Sequence, residues 1–285
     1  MPKRPTAREL ERVAAARPPR VKRPAAPAGE ALAMLARRGL RPSLARLDLP
    51  FPPDLAGETA DRLTDLLGHY AFRLFLRGAI QRGDGFTPAD TTTFVKAAQA
   101  RGFAESLVRL GLASSSGRDR YRLVRPADSF GGTLEWYVGR ELARWLGFDV
   151  ATGVKFHAPG VGGDLDVVAA AEGKLLYLEL KSSPPKHVAL TEVRAFLRRA
   201  RAVRPDVALF VVDTALRLSD KVLPMFAEAF ALEGAGAPPA RRVLRETWAL
   251  GPHLYVVNAR EDLVENVCRA VAEGIRSLAP EIPGG

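Results

Sequence analysis

Four charged residues stand inside a stretch that otherwise reads as buried core: Asp164, Asp166, Glu179 and Lys181 in GGDLDVVAAAEGKLLYLELKSS, residues 162–183. In LLYLELKS the residues alternate, so Leu176, Leu178 and Leu180 face one way and Tyr177, Glu179 and Lys181 the other. In DLDVV, Asp164 and Asp166 share a face. A turn centred on Glu172–Gly173 joins the two strands. If that turn is symmetric, it sets Asp166 opposite Glu179 and Asp164 opposite Lys181, with Cβ atoms about 4.5–5.5 Å apart. A one-residue slip would send the charges to opposite faces.

Two opposed carboxylates repel, so a hairpin that keeps them calls for a cation. Carboxylate oxygens suit a hard ion, Mg²⁺ or Mn²⁺, with water completing the shell. Lys181 at the edge of such a site could orient or help deprotonate a metal-bound water, or stabilise negative charge on a phosphate. A solvated polar face on an edge hairpin would use the same letters. Against that, the apolar text around them implies partial burial, where unpaired charge is expensive.

Asp166, followed thirteen positions later by Glu179-Leu180-Lys181, resembles the D…E-x-K core of the PD-(D/E)XK nuclease superfamily. That pattern includes an upstream helical glutamate, and Glu135 in GGTLEWYVGRELARWLGF fits it. The element order from about Phe130 to Thr214 matches the family's αβββαβ core. Within the superfamily the text looks closest to the nuclease domains of CRISPR-associated ancillary effectors, which also carry a winged helix before the nuclease. Those proteins have a further nucleotide-sensing domain, for which this sequence leaves no room, so regulation by a cyclic nucleotide is not expected. The family's proline is missing: Leu165 and Gly163 precede the two aspartates. The resemblance implies that Glu135, Asp166 and Glu179 hold one or two Mg²⁺ (or Mn²⁺), with the Leu180 carbonyl as a further ligand. It implies that Lys181 positions or activates the attacking water, and that Asp164 is auxiliary. The implied reaction is hydrolysis of phosphodiester bonds in nucleic acid, DNA before RNA, by in-line attack.

These residues need a scaffold. Strands alternating with helices from Ser129 onward predict an α/β fold with a mixed sheet covered on both faces. GGTLEWYVGRELARWLGFDV predicts an amphipathic helix with Leu134, Val138, Leu142 and Trp145 on one stripe. Strands are expected at Val150–Phe156, at VALFVVDT and at HLYVVNA, with Gly234–Ala240 as a loop. Helices are expected in LTEVRAFLRRARAV, KVLPMFAEAFALEG and REDLVENVCRAVAEGIRSLA. Before this core the text is mostly helical: GEALAMLARRG, then one longer helix from Ala56 to a glycine after Gln81. A helix capped by Thr87 or Asp90 is expected to run through Ala100 and to be broken by Gly102. A second helix follows at Ala104–Leu110, then two short strands around a Ser/Gly/Arg tip. That order resembles a winged helix, with Glu105 to Arg109 on the recognition helix and Arg118, Arg120 and Arg122 on the wing. The expected division is a basic tail (1–28), a helical winged-helix domain (29–126) and a nuclease-like domain (127–285).

The other polar residues carry weaker signals. Arg194, Arg198 and Arg201, with Arg199 beside them, form either a phosphate-tracking stripe or an ordinary exposed helix face. Lys186 and His187 follow the Lys181 strand in a proline-containing loop. Glu192 is either an auxiliary acid or a helix N-terminal charge. His157 precedes a glycine-rich loop that is no phosphate loop. Trp136 and Tyr137 read as packing residues, and His69 and His253 as structural.

The net charge of +10 points to a polyanionic partner, and the first 24 residues supply six of those charges through eight Lys/Arg and two Asp/Glu. That Pro/Ala/Arg-rich segment cannot bury an apolar face. The single cysteine, Cys268, excludes an internal disulfide and a multi-cysteine metal site, and suits a cytoplasmic protein, nucleoid-associated or free. No apolar run is long enough to span a membrane. Alternative functions are a catalytically silent nucleic-acid-binding or assembly protein on the same fold, and a winged-helix regulator. The sequence leaves the oligomeric state open, a homodimer included.

Overall fold

The computed structural model describes residues 29–117 and 119–279; the basic tail and Arg118 lie outside them. The described chain opens with α1 (Glu30–Arg37) and a short strand β1 (Ser43–Leu44). Next come α2 (Gly57–Gly68), α3 (Tyr70–Gln81), a single turn α4 (Pro88–Thr91), α5 (Ala97–Arg109) and the hairpin β2 (Ala113–Ser115) and β3 (Tyr121–Leu123). Then α6 (Gly131–Leu146) leads into β4 (Asp149–Lys155), β5 (Asp164–Ala171), β6 (Lys174–Lys181), α7 (Leu190–Val203) and β7 (Val207–Val212). The chain continues through α8 (Val222–Leu232), β8 (Ala240–Leu244), β9 (Thr247–Leu250), β10 (Leu254–Asn258) and α9 (Leu263–Ser277).

Eight strands form one mixed sheet in the order β1-β4-β5-β6-β7-β10-β9-β8, with β6, β7 and β10 parallel. The expected α/β architecture, a mixed sheet with helices on both faces, is therefore observed. VALFVV in β7 is buried throughout because both of its faces are covered. On one face, Leu176, Leu178 and Leu180 of β6 join Leu134, Val138 and Leu142 of α6 and Val267 and Val271 of α9. On the other, Tyr177 joins Val193 and Phe196 of α7, Phe226 of α8 and Leu32 and Leu35 of α1. Phe196 is the hub there, with ring centroids 5.5 Å from Tyr177, 5.3 Å from Phe210 and 6.1 Å from Phe226. α1 and β1 thus belong to the sheet, with β1 pairing antiparallel to β4.

The helices α2 to α5 share the first of these cores through Leu63, Leu67, Phe72, Phe75 and Leu107. Arg73 and Arg77 of α3 reach the buried Asp213 at the end of β7, each at 2.9 Å. Arg73 also donates to the carbonyls of Leu67 (2.6 Å) and Gly68 (3.1 Å) at the end of α2. Among the described residues no helix is long and apolar enough to cross a membrane.

Several expectations change. The long helix from Ala56 is two helices, broken at His69, whose ψ of 119° is extended. The helix expected from Thr87 through Ala100 is split into the turn α4 and the start of α5, and α5 runs on through Gly102, with Ala100, Ala104 and Leu107 buried on one face. Trp145 is 65 % exposed, off the buried stripe. The β8–β9 hairpin was not expected at all.

Candidate active site at a strand fork

The hairpin register is the expected one: Ala171 pairs with Lys174, and the ladder runs back to Val167 and Leu178. Glu172 (φ 52°) and Gly173 (φ 70°) are both left-handed, as a two-residue hairpin turn requires. The ladder ends one pair before Asp166 and Glu179. There the Asp166 carboxylate accepts the Leu180 N–H at 2.7 Å, so a side chain replaces a ladder bond. On the other flank, the β4–β5 ladder passes from Thr152–Val167 to Val154–Leu165 and skips Gly153 and Asp166. Gly153 has a φ of 59°. Asp166 therefore stands at a fork between strands, and the expected direct pairing with Glu179 is corrected to this bond with Leu180. Asp164 is exposed and pairs with Lys155 of β4, not with Lys181.

Glu179 is 2 % exposed. Its Oε1 lies 2.9 Å from Lys181 Nζ, and its Oε2 lies 2.7 Å from Arg199 Nη2 and accepts from the Tyr177 hydroxyl. Arg199 Nε donates to the same hydroxyl at 2.9 Å. Lys181 is shared with Glu192 at 3.0 Å. Glu192 also caps its helix by accepting the Ala189 N–H at 2.9 Å, so the expected helix N-terminal role is observed. Burial alone would lower the Lys181 pKa, but the carboxylates of Glu179 and Glu192 outweigh it and hold the ammonium above its ordinary value. Partial burial would raise Glu192, yet the Ala189 N–H and Lys181 keep it below.

Glu135 reaches the fork from the first half of α6. Its pKa is pushed up to about 8, first by burial, then by the charges of Asp166 and Glu179, with the Gly153 N–H pulling the other way. Asp166 is raised too, by burial and then by Glu179; the Leu180 N–H, Lys181 and Arg199 offset this only in part. The structure thus brings Glu135, Asp166, Glu179 and Lys181 into one electrostatic neighbourhood. Yet among the described residues no three acidic, His or Cys side chains stand close enough to hold a metal ion as they are.

The charge balance bears on whether a metal fits. Glu179 and Glu192 have Lys181 and Arg199 as partners. Among the described residues Glu135 and Asp166 have no ion-pair partner, and both are raised. Two uncompensated carboxylates match the charge and the oxygen chemistry of a hard divalent ion. Glu179 is less free, because cations engage both of its oxygens.

Of the arginine stripe, Arg198 is exposed, Arg201 is exposed and pairs with Glu233, and Arg194 is half-buried. None of these three has an ion pair with the fork acids. Arg120 is exposed on the β2–β3 hairpin, and Arg122 stands 3.7 Å from Asp84. Trp136 packs edge-on against Phe51 at 5.0 Å, and Tyr137 is buried, as expected of packing residues. Sequence reasoning missed Tyr177 and Arg199 as site residues. The signal for Arg199 was its place in the helical stripe Glu192, Phe196, Arg199, Val203: an arginine on a buried face needs an acid.

No protein-family model matches the chain, and no curated protein matches it in sequence. Among solved structures, protein VC1899 from Vibrio cholerae aligns with a TM-score of 0.52 at 13% identity, over 87% of this chain and 62% of that one. Can2 from Sulfobacillus thermosulfidooxidans, solved in complex with cyclic tetra-adenylate, aligns with a TM-score of 0.49 at 15% identity, over 86% of this chain and 60% of that one. The chain spans about three fifths of the length of these two proteins. At such identity, the likeness to VC1899 is one of fold.

Proposed function

We propose that this chain is a metal-dependent nuclease of the PD-(D/E)XK kind, hydrolysing phosphodiester bonds in nucleic acid, DNA before RNA. The observation that carries the reading is the uncompensated pair Glu135 and Asp166 at the strand fork, beside the Lys181 ammonium. The order α6-β4-β5-β6-α7-β7 is the αβββαβ succession of that superfamily. In this reading Glu135, Asp166 and the Leu180 carbonyl hold Mg²⁺ or Mn²⁺, and Glu179 contributes the oxygen it shares with Lys181. The bound ion would neutralise charge that builds on the phosphate and acidify a water. Lys181, kept charged by Glu179 and Glu192, orients the water or the scissile phosphate and stabilises negative charge; it is not the base. Arg199 and Tyr177 fix Glu179, so the strand end cannot swing away from the fork. Asp164, exposed on the rim, is auxiliary.

The helical module supports a nucleic-acid substrate. The succession α3, the Phe86–Tyr121 bridge, α4, α5 and β2–β3 resembles a winged helix, with α5 as the recognition helix and Arg120 on the wing. Incubation with supercoiled plasmid and with single strands, with and without Mg²⁺ or Mn²⁺, tests the reading. Metal-dependent products that vanish with Lys181→Ala are expected; equal cleavage by that variant would refute the assignment. A second reading, a nucleic-acid-binding protein that does no chemistry, is favoured by the double engagement of Glu179. It expects no turnover and the same DNA affinity with and without divalent metal.

A further inference from the structure

A groove of about 680 Å³ opens where β6 and β7 end. Pro184–His187 and Thr214–Leu216 form one side, and α3, α4 and Phe94 form the other. Ligand crevices in open α/β sheets lie beyond the carboxyl ends of parallel strands, and β6 and β7 are parallel. The far wall depends on Gly78 of α3: a Cβ there would lie 1.7 Å from the Thr91 carbonyl oxygen. That close approach brings the segment ending in Phe94 over the groove.

Its chemistry is of two kinds. Phe94 is 82 % exposed and Leu216 59 %, so two large apolar side chains of the groove stand in water. Lys186 and His187 stand at the mouth, and among the described residues no acidic side chain lines the groove. Arg77 lines it too. Its Nη2 is spent on Asp213, so it adds positive charge beneath the groove floor, balanced by that acid. The strand that carries Lys181 runs directly into the Pro184–His187 segment.

Apolar faces flanked by cations, with no acid, suit a strand that offers bases and phosphates together. A duplex keeps its bases stacked inside and shows a protein chiefly phosphates and base edges. It would leave Phe94 and Leu216 in water.

We propose that this groove binds unpaired nucleotides of single-stranded nucleic acid. A base stacks on Phe94, with Leu216 as the further apolar contact, and Lys186 takes the adjoining phosphate. The further step, that the strand is thereby led to the Lys181 fork, rests on the nuclease reading; base binding in the groove does not.

The test is fluorescence anisotropy with the full chain, a labelled single-stranded oligonucleotide and a hairpin duplex, in EDTA so that no metal-dependent cleavage can intervene. Comparing the two ligands cancels non-specific attraction to the basic tail. Wild type is expected to prefer the single strand. Phe94→Ala, at an exposed position that leaves the core intact, is expected to weaken single-strand binding about tenfold and leave duplex binding unchanged. Phe94→Trp should report stacking directly as quenched indole emission on addition of the single strand. Equal losses on both ligands, or no loss and no quenching, would overturn the proposal. So would an altered sedimentation mass for Phe94→Ala with unchanged affinity, which would make the groove an interface between copies. Single-strand binding without cleavage under any metal would sink the nuclease reading and leave the groove standing.

Discussion

Two groups of acids lie beside the central strands, Asp213 buried and the pair Glu135 and Asp166 half-buried, and they are built oppositely. Asp213, at the end of β7, is 0 % exposed and has both oxygens taken: Oδ1 by Arg73 Nε and Oδ2 by Arg77 Nη2. Arg73 also donates through Nη1 to the carbonyls that end α2. Every partner there comes from the chain itself, and the result ties the helical module to the sheet. Asp166, at the fork, receives the Leu180 N–H, and among the described residues neither it nor Glu135 has an ion-pair partner. Burial of a carboxylate is tolerable when donors and cations complete it and costly when they do not. The complete group reads as architecture. The incomplete one is where the proposed metal site lies.

The sharpest way to break that comparison is to neutralise one member of each group. Asp166→Asn or Lys181→Ala should reduce cleavage by on the order of 10²–10³-fold or more, as loss of electrostatic transition-state stabilisation does, with the circular dichroism spectrum unchanged. Asp166→Asn should also leave the metal-free protein as stable as wild type or more so, because it removes a repelling charge. Asp213→Ala should do the reverse. It leaves Arg73 buried without its acid, so urea unfolding should show a loss of about 3–5 kcal/mol. If Asp166→Asn destabilises as much as Asp213→Ala, the fork acids are structural and the contrast fails.

Some of this was legible in the letters. Glu172–Gly173 between two alternating runs specifies the turn and so the register of the hairpin, and Glu135 could be placed on a helix upstream. The fork was not legible, because it combines an Asp166 bond to the Leu180 N–H on one flank with a skipped pair at Gly153 of β4 on the other. Arg199 was read with its exposed neighbours, although its helical period sets it with Phe196 on the buried face. The break at His69 is supported by Arg73, which takes the freed carbonyls from the next helix, a tertiary contact no local pattern announces. The β8–β9 hairpin turns at Arg245, which is left-handed (φ 49°) without being Gly or Asn, so no turn residue marked it. Conversely, Gly102 lies inside α5, because the buried face outweighs a cost of about 1 kcal/mol for glycine in a helix.

A gentler probe tests the proposed cation. Mn²⁺ at a hundred times its dissociation constant should stabilise the protein by about 2.7 kcal/mol, read as a rise in the thermal or urea midpoint. Glu135→Gln and Asp166→Asn should abolish that rise, whereas Lys181→Ala should keep it, since lysine holds no metal here. Loss of the rise in Lys181→Ala would place the ammonium's role in building the site instead of in the reaction.

The smallest expected effect decides to which group Glu179 belongs. It is completed like Asp213, by Lys181, Arg199 and Tyr177, yet it sits beside the incomplete pair. Arg199→Lys keeps the charge but not the planar fork that serves Glu179 and Tyr177 together. If Glu179 is an anchor, the variant should lose about 1–2 kcal/mol by urea unfolding and lower cleavage far less than Lys181→Ala does. If Glu179 is a ligand that the clamp restrains, the same variant should instead bind Mn²⁺ more tightly at little cost in stability. A single titration of the unfolding midpoint against metal, wild type beside Arg199→Lys, separates the two: the anchor lowers both ends of the curve equally, and the restrained ligand steepens it.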